Sequence, residues 1–293
     1  MKKILCILFS MLLLLQACAL AELDEEELLL EEIVEGEEGY DLPPEVTKAP
    51  AGPAEAAWGF PVALEDMKPE FVILANKHYL LDKSFVCKPL KKIKSMKLAK
   101  DKVTKKSGDM YVLSKGMELN ETCADALIAL ADAAREDGYN LYLKSAYRSW
   151  QTQNTMYYNR LKKNKGKDDG WVSKPGASDH QTGLGCDVVP KSWKSKSMNS
   201  KMAREPECQW MAQHCQEYGF IIRYPEEKQA VTEINYEPWH LRYVGVPAAT
   251  FIMDNGLCLE EFNEELQLAI REYLEAGGDR SKVEAFIQNP SEE

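Results

Sequence analysis

Four histidines occur in 293 residues, and one of them lies in SDHQTGLGCD, residues 178–187, with an aspartate at the far end of a glycine-containing turn. His180 precedes a loop whose Gly183 and Gly185 permit tight turning, and Asp187 opens the apolar stretch CDVV. The turn can therefore fold the imidazole back beside the carboxylate. Two N/O donors brought together in this way are two of the three protein ligands that a catalytic zinc site needs, the fourth position being left to water. Of the remaining histidines, His214 sits within a helical pattern and His78 in the early segment NKHYLL, whereas His240 in NYEPWHLRYVG has Glu237 three residues ahead of it. His240 is thus the natural third donor. Pro238 cannot donate to a sheet ladder and favours a strand start, so Glu237 and His240 need not be separated by face alternation. A carboxylate that stays off the metal but near its water is what a general base requires.

Taken alone, either motif reads better as a turn with a salt bridge than as a site. Together, SDHQTGLGCD, EPWHLRYVG and SAYRSWQTQ resemble the three signature blocks of the VanY-like zinc D-alanyl-D-alanine carboxypeptidases. The family pattern S-x-H-x-x-G-x-A-x-D is met by Ser178, His180, Gly183 and Asp187, with Gly185 where alanine is usual. The E-P-W-H block is met from Glu237 to His240, and Y-R-S-x-x-x-Q by Tyr147, Arg148, Ser149 and Gln153. With MDNGLCLEEF similar to the family's usual ending, the resemblance covers about residues 71–263. It implies that His180, Asp187 and His240 hold one Zn2+ per chain and that Glu237 activates the bound water, whose pKa zinc lowers to roughly 7. It also implies that Arg148 faces the substrate, with Ser145 and Gln153 completing its pocket. A guanidinium suits a terminal carboxylate because it offers two parallel charge-assisted hydrogen bonds. Trp239 and Tyr147 are candidates to wall that pocket, although each reads equally as a buried aromatic.

The implied activity is removal of the C-terminal D-Ala from peptidoglycan stem peptides, with D,D- or L,D-specificity left open. Two alternatives stand beside it: a cell-wall endopeptidase of the same fold, and a wall-binding module that keeps zinc but does no chemistry. Glu237 separates the last from the others, since a binding module has no need of a base. A serine route lacks support, because the chain contains no S-x-x-K and no K-T-G. H-E-x-x-H is missing as well. Nothing in the sequence implies a nucleic-acid or protein partner.

These residues must be positioned by a folded domain. Asn120 can cap a helix through ETCADALIALADAARED, NLYLKSAYR alternates like a strand, and SWQTQNTMYYNRLKK has a helical pattern. GWVSKPGASDHQTGLG reads as a loop, CDVV as a short strand, Glu205 to Tyr218 as a helix ended by Gly219, and FIIRY and WHLRYVG as strands. Helices and strands without βαβ alternation predict an α+β fold with a small, mostly antiparallel sheet flanked by helices, and the resemblance adds a single zinc site to it. The resemblance implies the same architecture, of the hedgehog/DD-peptidase-like kind.

The ends differ from the middle. Lys2 and Lys3, the apolar run Ile4 to Leu15 and Ala19-Leu20-Ala21 predict an export signal over residues 1–21, with lipid anchoring at Cys18 as the lesser alternative. The run is short for a spanning helix, which needs ~20 residues, and no later stretch is long enough, so no transmembrane segment is expected in the mature chain. Residues 22–55 carry 13 acidic side chains and one lysine, and with four prolines among residues 43–53 they predict an acidic linker, extended to residue 70. Residues 264–293 are expected to form an acidic helical tail packed on its own domain. The whole chain carries −11, of which residues 22–55 account for −12 and residues 259–293 for −7. With +2 from the leader, the body 56–258 is left at about +6, suited to anionic wall polymers. The six cysteines beyond the leader include no C-x-x-C, which argues against a thiolate zinc site and leaves disulfides and buried free thiols both open.

Overall fold

Asn120 caps the first long helix, Glu121–Glu136, by accepting a hydrogen bond from the Cys123 N–H at 3.2 Å. This helix buries Cys123, Leu127, Leu130, Ala131 and Ala134 on one face, as its spacing predicts. The computed structural model describes residues 56–98 and 106–291. The predicted export signal, the Cys18 alternative and residues 22–55 of the expected linker lie outside the described residues.

Nine strands form among the described residues: β1 (Leu90–Lys92), β2 (Lys97–Leu98), β3 (Lys106–Ser107), β4 (Tyr111–Val112), β5 (Glu118–Asn120), β6 (Leu141–Ser145), β7 (Gly185–Pro190), β8 (Phe220–Ile222) and β9 (His240–Tyr243). The main sheet runs β4-β6-β7-β9-β8, and two antiparallel ribbons, β1-β5 and β2-β3, lie outside it. Only β4 and β6 pair in parallel; the other neighbours in the main sheet are antiparallel, so the fold is the α+β arrangement that the sequence predicts. All six residues of β7 are buried, in keeping with a central strand that has neighbours on both edges. In β6 the expected alternation is masked. Tyr142 is buried along with Leu141 and Leu143 because it stacks on Tyr111, with ring centroids 4.6 Å apart, and lies beneath the ammonium of Lys194.

Two stretches fold otherwise than expected. The segment read as a loop contains a helical turn, Asp179–Thr182, and the helix read over 205–218 is an α-helix only from Pro206 to His214 before it tightens into a 3-10 turn, Cys215–Tyr218. The linker and tail boundaries also need correction. Residues 56–70 are part of the fold, since Phe60, Val62 and Met67 are buried in a second core with Ile252, Phe262, Leu266 and Ile270. The helix Leu259–Glu275 runs across the boundary placed at residue 263. The apolar residues of 58–67 outweigh the proline-rich composition of the stretch before them, and the Leu74 N–H, donating to Gln288 Oε1 at 2.8 Å, ties the two ends together.

All six described cysteines are free and buried, which settles the sequence alternative on the side of thiols. Burial pushes Cys208, Cys215 and Cys258 up to about 12 and Cys87 up to about 11, so these groups are neutral and unreactive at neutral pH.

Candidate metal centre and substrate pocket

Asp187 sits in the middle of the sheet, opposite Ser145 on β6 and opposite His240 on β9. That register brings three chemically distinct side chains to neighbouring positions without any loop being involved. His180 arrives from the helical turn Asp179–Thr182, which Gly183 ends at φ 79, a left-handed conformation that glycine adopts freely. Gly183 thereby reverses the chain straight into β7, and residues seven apart in sequence come into contact.

The two histidines and the aspartate converge so that one ligand atom from each lies within 4.8 Å of the others. Asp187 Oδ1 is 3.2 Å from His240 Nδ1, Asp187 Oδ2 is 3.5 Å from His180 Nε2, and the two imidazole rings stand nearly perpendicular with centroids 4.9 Å apart. His180 Nδ1 lies 2.8 Å from the Ala146 carbonyl oxygen, to which it donates as the N–H tautomer, leaving the Nε2 lone pair aimed at the cluster. All three residues are buried.

Glu237 joins them through a β-turn. The His240 N–H donates to the Glu237 carbonyl at 3.1 Å, with Pro238 and Trp239 at the turn's centre, so the two side chains meet with Oε2 3.5 Å from His240 Nδ1. Burial, the largest influence, raises the Glu237 carboxyl above its ordinary range, while His240 and Arg148 act in the opposite sense. Burial works against a proton on His240, yet Asp187 and Glu237 outweigh it and raise that imidazole to about 9. Burial and Arg148 both lower His180. The two carboxylates thus favour a cation at His240, whereas burial and the Arg148 guanidinium leave His180 a neutral imidazole.

Two imidazole nitrogens and one carboxylate, converging in a buried space with a free carboxylate to one side, are the donor set of a catalytic zinc site. Asp187 Oδ1, buried and 3.2 Å from His240 Nδ1, makes no hydrogen bond of good geometry, as befits an atom whose partner is a metal ion. The residues present therefore fit Zn2+.

The Arg148 predictions also come together. Arg148 Nη1 donates to Gln153 Oε1 at 2.7 Å and Nη2 to Ser145 Oγ at 3.1 Å, and Gln153 Nε2 is anchored on the Ser173 carbonyl at 2.6 Å. Ser145 and Gln153 thus hold the guanidinium, and Gln153 faces the cavity with it. That cavity, of about 210 Å3, is lined by Arg148, His180, Asp187, Glu237, Trp239 and His240 among others. Tyr147 does not line it. Trp171, Tyr224, Met198 and Ile234 do, and none was legible from the motifs. Trp171 stacks on Trp239 with ring centroids 6.3 Å apart, a contact that its place in the loop ahead of the SDHQTGLGCD block does not signal. His78 and His214 lie elsewhere, beside Glu233 and Glu217 respectively.

Comparison with known proteins follows the same residues. The family model VanY, D-alanyl-D-alanine carboxypeptidase, matches residues 116–246, which include every residue of the cluster. The bifunctional D-Ala-D-Ala dipeptidase and D-Ala-D-Ala carboxypeptidase VanXYC of Enterococcus gallinarum is 35% identical over 136 residues, 46% of this chain and 72% of that protein. The chain belongs to the VanY family. Among its relatives, the carboxypeptidase-named YodJ of Bacillus subtilis (strain 168) is 41% identical over 150 residues, which is 51% of this chain but only 55% of YodJ. The solved structure of the LD-carboxypeptidase LdcB aligns with a TM-score of 0.55 at 36% identity, covering 67% of this chain and 87% of LdcB. VanY-family membership and this neighbour agree on the fold; the names of the relatives divide between D,D- and L,D-peptides.

Proposed function

We propose that this VanY-family chain is an exported, zinc-dependent carboxypeptidase that removes the C-terminal D-Ala from peptidoglycan stem peptides, with one Zn2+ per chain held by His180, Asp187 and His240. The observation that carries the reading is the shared cavity: a held guanidinium and a buried carboxylate line the same small space as the three donors. When bound, zinc supplies Lewis acidity toward a peptide carbonyl and lowers the pKa of a water to roughly 7. Arg148, kept in place by Ser145 and Gln153, receives the terminal carboxylate through paired charge-assisted hydrogen bonds and so sets which peptide bond faces the donors. Glu237 takes a proton at Oε2 and returns it to the leaving amine; its burial suits a group that must hold and release a proton near neutral pH. Trp239 and Trp171 exclude water from one wall. The leader-like residues 1–21 support export to where such substrates lie.

Incubation with a muramyl pentapeptide and a tetrapeptide, with and without a chelator, followed by mass spectrometry, tests the reading. The expected result is chelator-sensitive loss of a single D-Ala, and the peptide trimmed assigns D,D- or L,D-specificity. Internal cleavage would point to the endopeptidase alternative; no cleavage with zinc bound would leave the binding module. Glu237→Gln is expected to lower turnover by ~10²–10⁴-fold with the zinc content unchanged by elemental analysis. Retained turnover would remove Glu237 from the mechanism.

A further inference from the structure

Immediately before His180 stands a second, fully buried acid that no part of the proposed chemistry uses. Asp179 Oδ2 accepts from Arg223 Nε at 2.6 Å, and its Oδ1 accepts from Arg242 Nη1. Arg223, itself fully buried, donates through Nη1 and Nη2 to the two oxygens of Glu260, each at 2.7 Å. Arg242 donates further to the carbonyls of Phe71 and Ile73, at 3.1 and 2.7 Å. Two carboxylates and two guanidiniums thus neutralise one another, with Asp179, Arg223 and Arg242 fully buried and Glu260 at the partly exposed edge of the cluster.

The placement of these groups on the chain gives the cluster its meaning. Arg242 lies two residues beyond His240 on β9, and the Arg223 N–H donates to the His240 carbonyl at 3.0 Å. One carboxylate therefore ties the turn bearing His180 to the strand bearing His240. Gly185, at the start of the strand that carries Asp187, completes the arrangement, because a Cβ there would stand 2.8 Å from Asp179 Cβ and 2.9 Å from the Asp179 carbonyl carbon. The turn is pressed directly onto β7 with no side chain between. Glu260, near the start of the helix Leu259–Glu275, extends the tie to the end of the domain. None of the four charged side chains lines the cavity. A buried ion cluster is weak as a source of stability, since apolar residues of the same volume hold a core at least as well; what it supplies is fixed direction.

We propose that Asp179, Arg223, Arg242 and Glu260 are positioning residues that set the spacing of His180 and His240, and that through Glu260 the helix Leu259–Glu275 controls the geometry of the metal site. The inference rests on the reading of His180, Asp187 and His240 as metal ligands. Its test is cobalt and zinc binding to the full chain and to its Glu260→Gln and Asp179→Asn variants. Zinc affinity is measured by competition with a chromophoric chelator, and ligand geometry by the visible bands of the cobalt form. Groups that hydrogen-bond a metal ligand typically contribute 10–100-fold in affinity; Glu260 acts one step further out, through Arg223, so Glu260→Gln is expected to weaken zinc by ~3–10-fold and to shift the cobalt bands while the metal-free protein still unfolds cooperatively. Affinity within about twofold of the parent and unchanged cobalt bands, with only a lower unfolding temperature, would overturn the positioning role. Should Asp179→Asn fail to fold, Glu260→Gln, whose amide oxygen still accepts from Arg223, decides the matter. A parent chain that binds neither metal would overturn the ligand assignment and the positioning role with it.

Discussion

Arg148 makes two hydrogen bonds to neighbours before any substrate arrives, and those bonds define what a substitution there does. Lysine keeps the charge but presents a single point donor that cannot span Ser145, Gln153 and a carboxylate together. Arg148→Lys is expected to lower kcat/KM by roughly 10–100-fold, in line with the ~1.5–3 kcal/mol of a hydrogen bond to a charged group, and steady-state kinetics on the trimmed peptide check it. Gly185 is a second residue whose context decides its tolerance. The resemblance places alanine at this position, but here the Asp179 backbone fills the space a methyl would need. Gly185→Ala should therefore destabilise by about 1–3 kcal/mol, the usual cost of overpacking, as read from urea unfolding. His180, Asp187, Glu237 and His240 were legible in the sequence because short turns link them pairwise. Asp179, Arg223 and Arg242 were not, because the contacts that give them a role join residues 44 and 63 positions apart.

Elements followed local pattern where pattern and packing agreed. The helix Glu121–Glu136 was legible down to its cap, and Asn120→Ala is expected to cost about 1 kcal/mol in the same unfolding assay. The backbone link from this cap to the turn that bears His180, the Asn120 N–H donating to the Gly183 carbonyl at 2.8 Å, is kept in that variant, so the loss is confined to helix stability. The failures came where an element's partner is remote. Residues 56–70 look like a linker when read beside the prolines before them, yet Phe60 meets the rings of Phe251 and Phe262 at 5.5 and 5.4 Å. Phe60→Ala should cost about 3–5 kcal/mol, as for other buried aromatics, whereas a linker residue would cost nothing measurable. Urea midpoints of the two proteins distinguish these outcomes.

On the scale of the whole molecule, every described cysteine is shut away from solvent. A thiol reagent is expected to leave the folded protein essentially unmodified and to titrate six thiols, in a chain beginning at Glu22, once denaturant is added. Acid acts through the buried charges. Burial alone would raise the Asp179 carboxyl, but Arg223 and Arg242 outweigh it and hold the group at about 2, below its ordinary 3.8. The folded chain thus binds this proton less readily than the unfolded one. Its stabilising contribution is complete above the unfolded value and is lost as pH falls toward the folded one. The urea midpoint of the metal-free protein should accordingly be insensitive to Asp179 above about pH 5 and fall below about pH 4, with Asp179→Asn flattening that fall.

The tie between Leu74 and Gln288 joins residues 214 positions apart, and the second core is built across the same gap. On a ribosome, Trp58, Phe60 and Val62 emerge early and wait for the last quarter of the chain before most of the core they belong to exists. For most of its synthesis the nascent protein therefore carries an uncovered aromatic strap, the kind of surface that chaperones hold and that aggregates when they do not.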